Sequence, residues 1–284
     1  MIPNYDKSMP TMKLQILVDN QAEAGLASEH GLSMWIETGG RRILFDTGQG
    51  QMFEKNAGKL GVDMGAADIL VLSHGHYDHT GGIADFLQHS RDSHIYCHPG
   101  VVIPRYAIRN GMSNPIHMPH ASIAAINKMS SERLHWVQEP LYLSDNIGLT
   151  GHIPRETTFE NTGGPFFLDQ EGRRADPIED DMALWIRTEK GVVVIVGCCH
   201  AGLVNTLNYI QQLNNDMRIR AVIGGFHLIG AEPQRLNQTV NVLQSLKFDQ
   251  LIPCHCTGQD AVDLLCSTFG SRVSPGAAGY RFQF

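Results

Sequence analysis

Charge is scarce in this 284-residue chain: 18% of its residues are Asp, Glu, Lys or Arg, and the balance is acidic, with a net charge of -7. That balance, with no basic patch, excludes a broad electrostatic footprint for nucleic acid. No apolar run approaches the roughly 18–20 residues of a membrane span, so no spanning helix is expected. Met1 to Met12 holds Pro3, Asp6, Lys7 and Pro10 but no apolar core, so a secretory leader is not expected either. The six cysteines contain no CxxC pair and are not spread as a disulfide framework. Four of them, Cys198, Cys199, Cys254 and Cys256, sit in two tight clusters with one histidine each. Reduced thiols in a cytoplasmic protein are the expectation. No internal repeat, low-complexity tract or inter-domain linker appears.

What is present suits one large layered domain over residues 1–284: 42% hydrophobic residues to build a core and 29 glycines to punctuate it. Met12 to Val18, Leu32 to Glu37 and Arg42 to Phe45 read as an opening antiparallel meander, with Gly39-Gly40 as a hairpin turn. A helix over Met52 to Leu60, a strand at Asp68 to Leu72, a helix over Ile83 to Gln88 and a strand at Ser93 to Cys97 follow. An irregular insertion is expected around 101–131, with one helix near Ser122 to Lys128. A second series of strands leads to a hairpin, Met182 to Arg187 and Val192 to Val196. Helices over Leu203 to Leu213, Glu232 to Leu246 and Gln259 to Phe269 then alternate with strands at Ile219 to Ile223 and Leu251 to Pro253. A meander followed by α/β units thus occurs twice. That order predicts an α/β fold, a four-layer αββα sandwich of two mixed sheets with helices on the outer faces.

The chemistry is concentrated in Ser73-His74-Gly75-His76-Tyr77-Asp78-His79-Thr80, directly after an apolar strand. Three imidazoles and a carboxylate within six residues are ligand types that divalent metals such as Zn2+ accept. His74 and His76, two apart in an extended loop, point the same way, leaving Asp78 and His79 to turn toward a second ion. Further histidines and acids follow later strands: Asp46, His152, Cys198 and His200, His227 and His255. Strand ends are where sites in α/β sheets form. His200 and His255 are therefore expected as ligands, with His152 and Cys198 as further candidates. Cys198 and His200 share a side if that segment is extended, and Cys199 faces away. Asp46 is expected behind the ligands, fixing an imidazole tautomer.

SHGHYDHTGG resembles the HxHxDH signature of the metallo-β-lactamase superfamily. ILFDTG before it, EHGLS near the first strands, TGHIPRETTFE at 150–160, VGCCHAGLVNT at 196–206, GGFHL at 224–228 and PCHCTG at 253–258 resemble a narrower subgroup. That subgroup is named for 7,8-dihydropterin-6-methyl-4-(β-D-ribofuranosyl)aminobenzene 5′-phosphate synthase. The resemblance implies an αββα sandwich with one or two ions between the sheets, usually zinc, sometimes iron or manganese. By motif, His74 and His76 match the first-site pair, Asp78 and His79 the second-site pair, and His255 the closing histidine. Where the superfamily usually has a bridging Asp, this chain has Cys198. The pattern around His152 is not the usual one either, which ranks His200 above it.

These features predict a metal-dependent hydrolase that uses a metal-bound hydroxide on a small phosphorylated or ester substrate, with Asp78 catalytic. His30, Arg155 and His227 are expected to contact that substrate. The alternatives are a synthase-like transferase and a non-catalytic metal-dependent binding or sensor protein. The expected partner is a small molecule, not nucleic acid or a membrane, in a chain that could also form a homo-oligomer.

Overall fold

A computed structural model describes residues 11–283, so most of the segment read for a leader lies outside the described residues. The strands, in chain order, are β1 (Met12–Val18), β2 (Ser33–Thr38), β3 (Arg41–Phe45), β4 (Ile69–Val71), β5 (His94–Cys97), β6 (Tyr106–Arg109), β7 (Met112–Pro115), β8 (Leu134–Trp136), β9 (Leu141–Ser144), β10 (Ile147–Leu149), β11 (Phe166–Phe167), β12 (Leu184–Thr188), β13 (Gly191–Val196), β14 (Ile219–Gly225), β15 (Gln250–Cys254) and β16 (Arg281–Gln283). The helices are α1 (Phe53–Leu60), α2 (Tyr77–Thr80), α3 (Ile83–His89), α4 (His120–Ile126), α5 (Leu203–Leu213), α6 (Pro233–Ser245) and α7 (Gln259–Phe269).

Two mixed sheets dominate. One runs β16-β1-β2-β3-β4-β5-β8 and the other β15-β14-β13-β12-β10-β9. In each, antiparallel pairs give way to parallel ones: β3, β4, β5 and β8 are parallel, as are β13, β14 and β15. The strand period of two sorts the side chains. Ile69 and Val71 of β4 join Met34, Ile36 and Phe45 in a core shared with Leu184, Ile186, Val193 and Ile195 of the other sheet. Leu70 and Leu72 face outward onto Phe53 of α1 and Ile83 and Phe86 of α3. Val192, Val194 and Val196 face the opposite layer, made by Leu203, Leu207, Leu243 and Leu265 of α5, α6 and α7. The result is the expected four-layer αββα sandwich. Strand β13, GVVVIV, is buried throughout because both of its faces are covered.

The Gly39-Gly40 turn between β2 and β3 takes positive φ at both residues, 56° and 73°, as a tight two-residue hairpin requires. Within residues 101–131 the expected helix is present as α4, but the stretch expected to be irregular also carries the β6–β7 hairpin. That hairpin pairs with β11 to make a three-stranded sheet beside the histidine loop. The short strand β16 returns to pair with β1. Among the described residues no helix is long and apolar enough to cross a membrane.

This topology positions the site. Asp46 follows β3, His74 follows β4, Cys198 and His200 follow β13, His227 follows β14 and His255 follows β15. The carboxyl ends of these strands open on one edge of the sandwich, between the sheets.

Candidate metal centre

The histidine loop is held from behind by buried polar groups. Asp46 accepts three hydrogen bonds: from the Ser73 amide at 2.7 Å, the Ser73 hydroxyl at 2.6 Å and His79 Nδ1 at 2.7 Å. Because the Ser73 hydroxyl donates to Asp46, it accepts from His74 Nδ1 at 2.9 Å. His255 Nδ1 donates to Asn20 Oδ1 at 2.8 Å, and that oxygen also accepts from the Gly31 amide. His200 Nδ1 donates to the Thr162 carbonyl at 2.7 Å. Each of these four imidazoles therefore spends its Nδ1 proton outward and turns a bare Nε2 inward, which is how ligating histidines are oriented.

The inward atoms crowd together with too few protons to satisfy them all. His79 Nε2 and His255 Nε2 lie 3.3 Å apart, and His74 Nε2 lies 2.9 Å from His76 Nδ1. The buried Nε2 of His200 has no partner. Lone pairs facing one another at these distances repel unless a proton or a cation sits between them. The donor set thus fits a divalent ion. Among the described residues, five groups have ligand atoms within 4.8 Å of one another: His74, His76 and His200; His74, His79 and Cys198; Cys198, His200 and His227; Cys198, His255 and Cys256; and His30, Asp78 and His255. Cys198 belongs to three of the five. It stands between the half-sites, with its Sγ 3.1 Å from His79 Nε2.

Burial pushes His74, His76 and His200 well below the ordinary imidazole range, and neighbouring histidines add to the effect. They are neutral, as ligands must be. Burial would raise Asp78, but His79, His255 and His30 around it hold its carboxyl well below the usual range. Burial likewise opposes a charge on His79, yet Asp46 and Asp78 together lift it to about 9 in the ion-free site. Asp78 Oδ2 is the meeting point: His30 Nε2 lies at 3.2 Å, His255 Nε2 at 3.3 Å and His79 Nε2 at 3.8 Å. The His30 side chain, 55% exposed, marks the mouth.

Several of these residues sit in backbone conformations that side chains rarely adopt: Asp46 (φ 58°), Cys199 (57°), His227 (43°) and His255 (47°). Such strain concentrates at functional sites. Gly197 is needed beside them, since an added Cβ would fall 2.0 Å from the Ser73 hydroxyl.

The expectation for His152 is corrected. It is exposed, its Nδ1 lies 3.2 Å from the Glu179 carbonyl, and it joins none of the clusters. Arg155 is likewise turned to the backbone, donating to the His200 carbonyl at 2.6 Å and the Pro177 carbonyl at 2.5 Å rather than facing an open anion site. The His227 ring lies 4.3 Å from that of His200, tilted by 47°, and contributes to a potential ligand group. Three groups were not among the expected site residues. Cys256 enters the site because His255 and Cys256 lie in a 3-10 turn, which breaks strand alternation. Asp19 accepts the His255 amide at 2.7 Å. The fully buried Arg105 pairs with Asp180 at 2.9 Å and Asp176 at 3.2 Å, and Asp180 in turn accepts the amide of Gly75, between His74 and His76, at 2.8 Å. Above the cluster, the Phe166 ring contacts His76, His200 and His227.

The family profile described as the metallo-beta-lactamase superfamily matches residues 29–176. An uncharacterized protein of Methanocaldococcus jannaschii is 32% identical over 254 residues, spanning 89% of this chain and 93% of the relative. From the same organism, a protein named 7,8-dihydropterin-6-methyl-4-(beta-D-ribofuranosyl)-aminobenzene-5′-phosphate synthase is 30% identical over 300 residues and aligns along the full length of both chains. The crystal structure of Tm1679, described as a metal-dependent hydrolase of the beta-lactamase superfamily, superposes with a TM-score of 0.82 at 30% identity, covering 96% of this chain and 99% of that one. With the HxHxDH loop at the edge of an αββα sandwich, these likenesses settle the family: the chain belongs to the metallo-β-lactamase superfamily.

Proposed function

We propose that this enzyme is a metal-dependent hydrolase of a small phosphorylated or ester substrate, working with two divalent ions, zinc in the first instance. The observation that supports it best is the cluster of buried imidazoles converging with Asp78 and Cys198, in which the Nε2 atoms of His76 and His200 are left without a partner. His74, His76 and His200 would hold one ion, and Asp78, His79 and His255 the other, with Cys198 between them. An ion in such a nest makes a coordinated water acidic near neutral pH and polarises a phosphoryl or carbonyl oxygen. The chain supplies the rest. Asp78, kept ionised by three histidines, orients what binds at its Oδ2. His30, raised by its contact with Asp78, lines the mouth by which a substrate would enter. Phe166 closes the inner side against water.

A second reading, transfer rather than hydrolysis, is favoured by the full-length likeness to the named synthase. One experiment separates the two. Chelator-stripped protein is reloaded with Zn2+, Mn2+ or Fe2+ and offered phosphomonoesters, phosphodiesters and carboxyl esters. Ion-dependent turnover of one ester class is the expected result. If the loaded protein turns over none of them but condenses a dihydropterin donor with a ribofuranosylaminobenzene phosphate, the transfer reading replaces hydrolysis.

A further inference from the structure

His255 belongs to two ligand triads of opposite chemical character. One, with His30 and Asp78, offers imidazole and carboxylate. The other, with Cys198 and Cys256, offers two thiols. Asn20 holds His255 Nδ1, so His255 has one nitrogen left to give and the two triads compete for it.

The sulfur triad is assembled by specific features of the chain. The left-handed conformation of His255 swings Cys256 back beneath β14, where its Sγ lies 3.8 Å from the Cys198 carbonyl. Gly225 clears the space: a Cβ there would fall 2.6 Å from Cys256 Sγ and 2.6 Å from the Gly197 carbonyl. His227 stands nearby, in a potential ligand group with Cys198 and His200. All members are buried, and their ligand atoms lie within 4.8 Å of one another. Two thiolates at about 2.3 Å from a tetrahedral ion stand about 3.8 Å apart, within that spacing.

We propose that the two triads are alternative seats for the second cation, chosen by the softness of the ion. Thiophilic ions take Cys198, Cys256 and His255, and hard ions such as Mn2+ take Asp78 and His255 with His30, His79 lying within reach of the same carboxylate oxygen. The proposal rests on reading this cavity as a metal centre, but not on which reaction it performs.

The test uses the full, chelator-stripped chain, titrated separately with Cd2+ and Mn2+. Cadmium binding is followed by sulfur-to-metal charge-transfer absorption and cadmium NMR, and manganese binding by loss of the free-ion EPR signal. The wild-type cadmium resonance should fall in the two-thiolate range. Cys256→Ser should cut the charge-transfer band to about half. It should also weaken Cd2+ by more than the roughly 10- to 100-fold that loss of an outer partner costs, leaving Mn2+ binding unchanged. Asp78→Asn should do the reverse. If Cys256→Ser does not fold, the wild-type resonance and Gly225→Ala, expected to weaken Cd2+ selectively, carry the test. A resonance with one thiolate or none, or Cys256→Ser weakening both ions equally, overturns the proposal. No readout involves turnover, so a silent ester panel leaves this test intact, and a failure here leaves the hydrolase reading standing.

Discussion

Replacing Asp46 with Asn tests how the buried shell fixes the metal ligands. Asn tolerates left-handed backbone, so the φ of 58° is kept. The amide oxygen can still accept the Ser73 amide. The new NH2 takes the place of the oxygen that now accepts the Ser73 hydroxyl and His79 Nδ1. The hydroxyl can reverse, but His79 must then present a bare Nδ1 and carry its proton on Nε2, the nitrogen facing Cys198 and His255. An ion at that position must displace the proton, so affinity should fall roughly 10- to 100-fold, about 1.4–2.8 kcal/mol. A second signature belongs to the ion-free protein. His79 is lifted to about 9 in the folded state. The stability it contributes is fully present below its unfolded value and is lost as pH rises through about 9. That contribution is of the order of 3 kcal/mol at most. Without the Asp46 charge this window should flatten. Competition against a chromophoric chelator reads the affinity, and urea midpoints of stripped protein at about pH 6 and about pH 10 read the window. A folded Asp46→Asn protein with unchanged zinc affinity would refute the tautomer argument.

Arg105→Met leaves Asp176 and Asp180 buried without their cation, a loss of about 3–5 kcal/mol. At about 2–3 °C per kcal/mol for a chain of this size, the melting temperature of stripped protein should fall by roughly 6–15 °C; an unchanged melt would show that the cluster does not hold the loop. His152→Ala, by contrast, should change neither metal content nor turnover, because that side chain faces solvent. Loss of an ion in this variant would return His152 to the ligand set.

The parts of the fold with regular periods were legible. Leu203–Leu213 and Gln259–Phe269 are helices over the residues that periodicity indicated. The HxHxDH loop could be read because its ligands lie close in sequence. Alternation gave the right facing from Cys198 to His200, with Cys199 turned into the helical layer within reach of the Thr206 hydroxyl, although φ of 57° at Cys199 shows that the segment is not extended. It failed at Cys256, where φ of 47° at His255 and a 3-10 turn replace the period of two. The β6–β7 hairpin carried an Asn110-Gly111 turn signal, both residues at positive φ, but its polar strands show no apolar alternation to announce them. Arg105 meets partners 71 and 75 residues away, and Asn20 meets His255 across 235 residues; no local pattern encodes such pairs. His152 follows a strand end as the true site residues do, yet its strand, β10, is antiparallel to β12, so the sheet's parallel edge does not carry it into the cavity.

Metal stoichiometry tests the central claim most directly. Stripped protein titrated with zinc and analysed for bound metal should take up two ions per chain, with metal-dependent turnover appearing only as the second ion binds. A wild-type chain that retains one ion or none, or a turnover indifferent to the metal, contradicts the account.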